Sequence, residues 1–131
     1  CRVVLHLARE LGHPEVVVCP TSRDADGLAR SSRNQLLSPG ERHQALALSR
    51  ALFAARVAWR EGERDAARLE AVLAAELARE AVQVEYAEVR DPERFALRPR
   101  GALTRARALI AARVGRVRLI DNLDLAAEDP A

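Results

Sequence analysis

The stretch DGLARSSRN, Asp26 to Asn34, sets a glycine, two adjacent hydroxyls, two arginines and an asparagine side by side. Upstream to Pro20 the same run adds Thr21 and Arg23. Polyphosphate oxygens accept hydrogen bonds from hydroxyls and guanidinium forks, and glycine lets a backbone N–H approach an anion closely. A solvated polar linker between two packed units is the competing reading, since Ser- and Arg-rich loops are common.

Other chemistry finds little support. The chain has no GxxxxGKS, GxGxxG, HExxH or GxSxG motif, so a P-loop, a dinucleotide fingerprint, a zincin helix and a nucleophile elbow are not expected. His6, His13 and His43 have no carboxylate placed by sequence to orient them and read as structural or exposed. Cys19 ends an apolar run and reads as a buried thiol. Cys1 and Cys19 make neither a CxxC nor a zinc spacing, so no metal site is expected and a reduced cytoplasmic setting is the default. Asp121 and Asn122, in LIDN, read as closing a hairpin end rather than touching a ligand.

The elements that must position the loop fall into two sets. Upstream, residues 2–11 read as the end of a helix with Gly12 as its stop, and EVVVC, Glu15 to Cys19, as a buried strand of a parallel sheet ended by Pro20. A helix followed by a strand is half of a βαβ unit, so this part reads as the edge of a larger α/β domain. A loop leaving such a strand at its carboxyl end lies where open α/β sheets bind ligands.

Downstream, Ser38 can cap a helix with Pro39 in its first turn and Glu41 three residues on, a capping-box spacing. Ala45, Leu48, Leu52, Ala55 and Trp59 continue it at helical spacing. EGER, Glu61 to Arg64, breaks the pattern, and a second helix follows with Leu69, Val72, Leu73 and Leu77 on one face. The period then changes to two at Val82, Val84 and Tyr86, a half-exposed strand. After a turn at Arg90 to Phe95, Ala108–Val114 and Val117–Asn122 flank Gly115-Arg116 as two arms of a hairpin. Two helices and three antiparallel strands make a small α+β unit, with the boundary between the two parts near Asn34 to Leu37.

Composition sets the outer limits. The 131 residues are 49% hydrophobic and 31% charged, enough apolar content for a packed core. All 21 basic residues are arginine, and their spread along the chain points to coding bias rather than to one site. The net charge of +2 is too small to argue for nucleic acid or an anionic membrane, and no apolar run is long enough to span a bilayer. The chain contains no methionine and so is expected to be part of a longer protein.

CPTSRDADGLARSSRNQLLSPGERHQALALSRAL resembles the central segment of the pantothenate synthetase (pantoate–β-alanine ligase) family. In that family the segment runs Asp-Gly-Leu-Ala, a hydrophobic residue, Ser-Ser-Arg-Asn and then a Leu-Ser-Pro helix start. VEYAEVRDPE and ALIAARVGRVRLIDNLDL are similar to its closing strands, so the resemblance covers essentially the whole chain. It implies a C-terminal half. Residues 1–34 would be the last helix–strand step of a Rossmann-like nucleotide-binding domain with the Ser-Ser-Arg-Asn loop, and residues 35–131 a lid-type α+β domain. It also implies ATP-dependent condensation of pantoate with β-alanine through pantoyl adenylate, giving pantothenate, AMP and pyrophosphate, with Mg²⁺ held mainly by the ATP phosphates. The segment alone would be inactive, and a homodimer would form through the other half. By the resemblance Ser31, Ser32 and Arg33 would be catalytic, the serines on phosphate oxygens and Arg33 on developing charge. Ser22 and Arg30 would join them in binding ATP, largely through the backbone. Ser22 and Arg30 replace a β-branched and a hydrophobic residue of the family pattern, which bears on adenine recognition more than on phosphate. The alternative is a free-standing module that holds a nucleotide or a protein without catalysis.

Overall fold

A computed structural model describes residues 2–12, 15–95, 99 and 101–127. Three helices, α1 (Arg2–Glu10), α2 (Pro39–Arg60) and α3 (Ala66–Leu77), are joined by a 3-10 turn (Ser32–Leu36) and followed by strands β1 (Gln83–Arg90), β2 (Arg107–Val114) and β3 (Val117–Asp124). The strands form one antiparallel meander in the order β1-β2-β3. The expected α+β architecture of two packed helices and three strands is present.

Local chemistry explains the boundaries. Ser38 caps α2, its hydroxyl oxygen accepting the Glu41 N–H while the Glu41 carboxylate accepts the Ser38 N–H, so two orphan donors of the first turn are satisfied at once. Gly62, at φ +103°, takes the left-handed conformation that lets the chain leave α2. Asp65 caps α3 by accepting the Arg68 N–H. The β2–β3 turn needs only Gly115 and Arg116, because Val114 pairs directly with Val117.

Helices α2 and α3 pack on one face of the sheet. Leu48, Leu52 and Trp59 of α2 and Leu69, Leu73 and Leu77 of α3 meet Val89, Ile110, Val114 and Leu119 of the sheet, all of them buried. Ala45, Ala51 and Ala55 have no exposed surface, and their small side chains let α2 lie close to its neighbours. Arg64 closes the α2–α3 corner with its guanidinium 4.1 Å from the Trp59 ring centroid.

Residues 2–19 depart from expectation. The helix is there, but Glu15–Cys19 is not a strand and pairs with no described residue. Val17 is 76% exposed, and Cys19, expected to be buried, is an exposed free thiol. The reason is physical: a β-branched run becomes a strand only against a neighbour that takes up its N–H and C=O groups. Glu15–Cys19 pairs with neither edge strand of the sheet, β1 or β3. Cys1 and His13 lie outside the described residues. His6 and His43 are exposed.

Candidate functional site

The loop between Ser22 and Arg30 folds back on itself. The Asp24 N–H donates to the Leu28 carbonyl and the Arg30 N–H to the Ser22 carbonyl, both at 2.9 Å, and Arg23 and Ala29 form a single bridge. Gly27 makes the reversal at φ +92°. Leu28 drives the loop inward and joins the core at 3% exposure. A side chain at position 27 would stand 3.6 Å from the Ser49 hydroxyl and 3.8 Å from the Phe53 ring, so the loop tip rests on α2.

Three arginines fasten this loop, each by a different route. Arg42, from α2, reaches the carboxylates of both Asp24 and Asp26. Arg30 reaches Asp24 as well, at 3.0 Å. The Arg42 hydrogen bond, with Arg30 adding to it, holds the Asp24 carboxyl below the usual carboxylate range. Arg23 makes the deepest tie. Its fork donates to both oxygens of Asp121, at 2.7 and 3.0 Å, and also to the Gly27 carbonyl at 3.1 Å. Its guanidinium lies 5.2 Å from the Phe53 ring centroid.

Beyond Arg30 the chain enters the 3-10 turn. The Ser31 hydroxyl oxygen caps it by accepting the Arg33 N–H at 3.2 Å, which leaves the hydroxyl hydrogen free to donate elsewhere. The Asn34 side-chain amide donates back to the Ala29 carbonyl at 3.0 Å. The turn lies along β3, whose other side is free of strand partners. Covering a sheet edge in this way also hides its unpaired backbone groups.

Between the loop, the turn and β3 is a cleft of about 240 Å³. Arg30, Ser31, Arg33 and Asn34 line one side, and Arg118, Ile120 and Asn122 the other. Thus Arg30, Ser31 and Arg33, three of the five residues expected at a site, come together on one cleft. Ser32 begins the 3-10 turn, exposed and outside the lining, and Ser22 is outside it too, its carbonyl spent on closing the loop.

Charge in the cleft is arranged unevenly. Arg118 is held by Glu85, at 2.7 Å, and the same carboxylate takes Arg113 at 3.0 Å. These two arginines, Arg118 first, hold the Glu85 carboxyl below its ordinary value. Asp121 is the acid on the wall, and Arg23 and the Asn122 N–H occupy its oxygens. Among the described residues, the Arg33 guanidinium has no partner. An anion entering here would meet one unpaired guanidinium, a hydroxyl donor and two amides.

Of the cleft residues, Arg118 carries no motif and Asn122 reads from sequence as closing a hairpin end. Alternation along β3 separates Arg118, Ile120 and Asn122 from buried Val117, Leu119 and Asp121, which was a signal to use. Asp121 and Asn122 do more than close a hairpin. The strand continues to Asp124, which pairs with Arg107, and Asp121 is the buried partner of Arg23. No group of three or more metal-ligating side chains occurs among the described residues, and no helix among them is long and apolar enough to cross a membrane.

The pantoate-beta-alanine ligase family model matches residues 1–124. A pantothenate synthetase of Acidobacterium capsulatum is 52% identical over 118 residues, which cover 89% of this chain and 39% of that protein. The pantothenate synthetase of Thermus thermophilus superposes with a TM-score of 0.84 at 38% identity, covering 95% of this chain and 45% of that one. A pantoate-beta-alanine ligase of Francisella tularensis, solved with beta-gamma ATP and beta-alanine, superposes with a TM-score of 0.55 at 20% identity, covering 96% of this chain and 40% of that one, and shares the fold. The chain therefore spans less than half the length of these relatives.

Proposed function

The chain belongs to the pantoate–β-alanine ligase family, and from that premise we propose that it forms the nucleotide-facing loop and the lid-type unit of an enzyme joining pantoate to β-alanine at the expense of ATP. The observation that carries this reading is the cleft, where Arg30, Ser31 and Arg33 face Arg118 and Asn122 across one opening. The Francisella relative, solved with beta-gamma ATP and beta-alanine, supports ATP and β-alanine as substrates.

In this reading the pantoate carboxylate attacks the α-phosphorus of ATP. A P–O bond forms, the bond to the bridging oxygen breaks, and pyrophosphate leaves with the electron pair. The β-alanine amine then attacks the acyl carbon of pantoyl adenylate and AMP departs. Both nucleophiles come from substrates, so the protein has to position groups and offset charge. Ser31 and Ser32 donate to phosphate oxygens, and Arg33, unpaired in the cleft, meets charge developing in the transition state. Ser22 and Arg30 contribute chiefly main-chain contacts to ATP, through the Ser22 N–H and the Arg30 carbonyl, since the Ser22 carbonyl and the Arg30 N–H pair with each other. The one acid of the cleft lining, Asp121, has its oxygens taken by Arg23 and the Asn122 N–H, so Mg²⁺ would arrive on the phosphates. Residues 1–34 are assigned to the edge of the nucleotide-binding domain and 35–131 to the lid. Dimer formation is assigned to the remainder of the enzyme, and these 131 residues alone are expected to be inactive.

The test is Arg33→Ala in a full-length enzyme of the family that carries this segment. The rate of pyrophosphate release is expected to fall roughly a hundredfold, the size of losing one aimed donor. The Michaelis constant for ATP should change much less, and Arg33→Lys should recover only part of the rate, because a point charge does not reproduce a fork. An intact rate with weakened ATP affinity would make Arg33 a binding residue and sink the transition-state role.

A further inference from the structure

β3 turns Val117, Leu119 and Asp121 to the buried side, so an acid occupies a position in an otherwise apolar row. The Asp121 side chain is 3% exposed. Burying a carboxylate is costly unless it is fully paired, and apolar residues of similar size often stabilise such a position as well or better. Stability alone is thus a weak reason for an acid here. A bidentate fork adds direction, because two parallel hydrogen bonds fix the plane and orientation of the guanidinium. Arg23 uses that fixed plane further, donating to the Gly27 carbonyl and lying over Phe53.

The contacts then run toward the cleft. The Arg23 backbone bridges Ala29, the Ala29 carbonyl accepts the Asn34 side-chain amide, and Asn34 follows Arg33. Arg33 has no side-chain partner among the described residues, so these contacts hold the backbone from which its guanidinium reaches the cleft. We infer that Asp121 and Arg23 are a positioning pair that aims Arg33 into the cleft, touching no substrate themselves. This inference rests on the nucleotide reading of the cleft for its catalytic consequence, and on the hydrogen bonds alone for its structural one.

A double-mutant cycle tests it in a full-length enzyme of the family carrying these residues. Asp121→Asn is expected to slow pyrophosphate release about tenfold, as misplacement of an aimed group does, with the ATP Michaelis constant changed less than about threefold. In an Arg33→Ala background the same substitution should cost less than about twofold, since nothing is left to aim. Equal losses in the two backgrounds, or no loss in the first, would overturn the inference. Arg23→Lys keeps the charge without the fork and runs the same cycle if Asp121→Asn does not fold. A parent enzyme that releases no pyrophosphate from ATP and pantoate would instead strike the functional reading. Hydrogen exchange on the 131-residue chain then decides the structural half. Asp121→Asn should speed exchange at the Asp24, Gly27 and Arg30 amides, hydrogen-bonded within the loop, and at the Asn34 amide, bonded to Ser31 in the 3-10 turn, while α3 amides keep their rates. No change, or an equal change in α3, would overturn it.

Discussion

Helices α1 and α2 both carry apolar residues at helical spacing, yet Leu7 in α1 is 51% exposed while Leu48 in α2 is 1% exposed. The same contrast holds for extended segments. Val17 and Val18 stand largely in solvent, whereas Val114 and Val117 are buried where β2 turns into β3. Apolar patterning records what a segment has to bury and says nothing about what will bury it. α2 has α3 and the sheet within reach, and residues 2–19 have no such partner among the described residues.

The contrast predicts unequal responses to one kind of substitution. Leu52→Ala in this chain should destabilise it by about 2–5 kcal/mol, the range for a cavity in a packed core. Val17→Ala should stay within about 0.5 kcal/mol. Urea unfolding of both variants measures the difference, and a Val17 loss as large as that of Leu52 would show that residues 15–19 are packed after all.

A smaller effect is expected where the hairpin meets the start of α2. A Cβ on Gly115 would overlap the Glu41 carboxylate, and Gly115 sits at φ +55°. Gly115→Ala should therefore cost about 1–2 kcal/mol, from left-handed backbone strain and from displacing the carboxylate that closes the capping box. In a Glu41→Ala background the loss should shrink toward the backbone part. Thermal unfolding of the two pairs reads this, and equal losses would mean that the hairpin tip does not bear on the cap.

The smallest effect concerns acid. Among the carboxyls that hydrogen bonds hold below their ordinary values are Asp24, chiefly through Arg42, and Glu41, chiefly through the Ser38 backbone N–H. A lowered folded pKa means that the stabilisation is fully present above the unfolded value of about 4 and is lost as pH falls through the folded one. Both groups face solvent, so the effect is small. Asp24→Asn and Glu41→Gln should each flatten the loss of stability below about pH 4, as followed by unfolding at a series of pH values. α1 has no such tie in its described contacts, and its helicity should not follow these titrations.

Local order was legible in the sequence. Ser38, Pro39 and Glu41 announced α2, and Gly115-Arg116 flanked by Ala108–Val114 and Val117–Asn122 announced the hairpin, because those signals lie within a few residues of the structure they make. Residues 15–19 misled for a matching reason: a strand is half of a pair, and the run EVVVC specifies one half. The cleft was half legible. Arg30, Ser31 and Arg33 were visible as phosphate-type donors, but Arg118 and Asn122 reach them only through the packing of β3. The Arg23–Asp121 pair joins positions 98 residues apart, and neither residue advertises the other.

That separation also orders events in time. The β2–β3 hairpin closes over a two-residue turn, and the meander adds β1 to its neighbour in sequence. Contacts of this kind form early, since little chain has to be gathered. The link from Arg23 to Asp121 must enclose nearly the whole α+β unit, so it closes after the helices and strands are in place. Once made it sits at the rim, on a sheet edge held by a turn and a few side chains. Within the packed α+β unit the cleft is accordingly the last piece to be built and, when the fold breathes, the first to come apart.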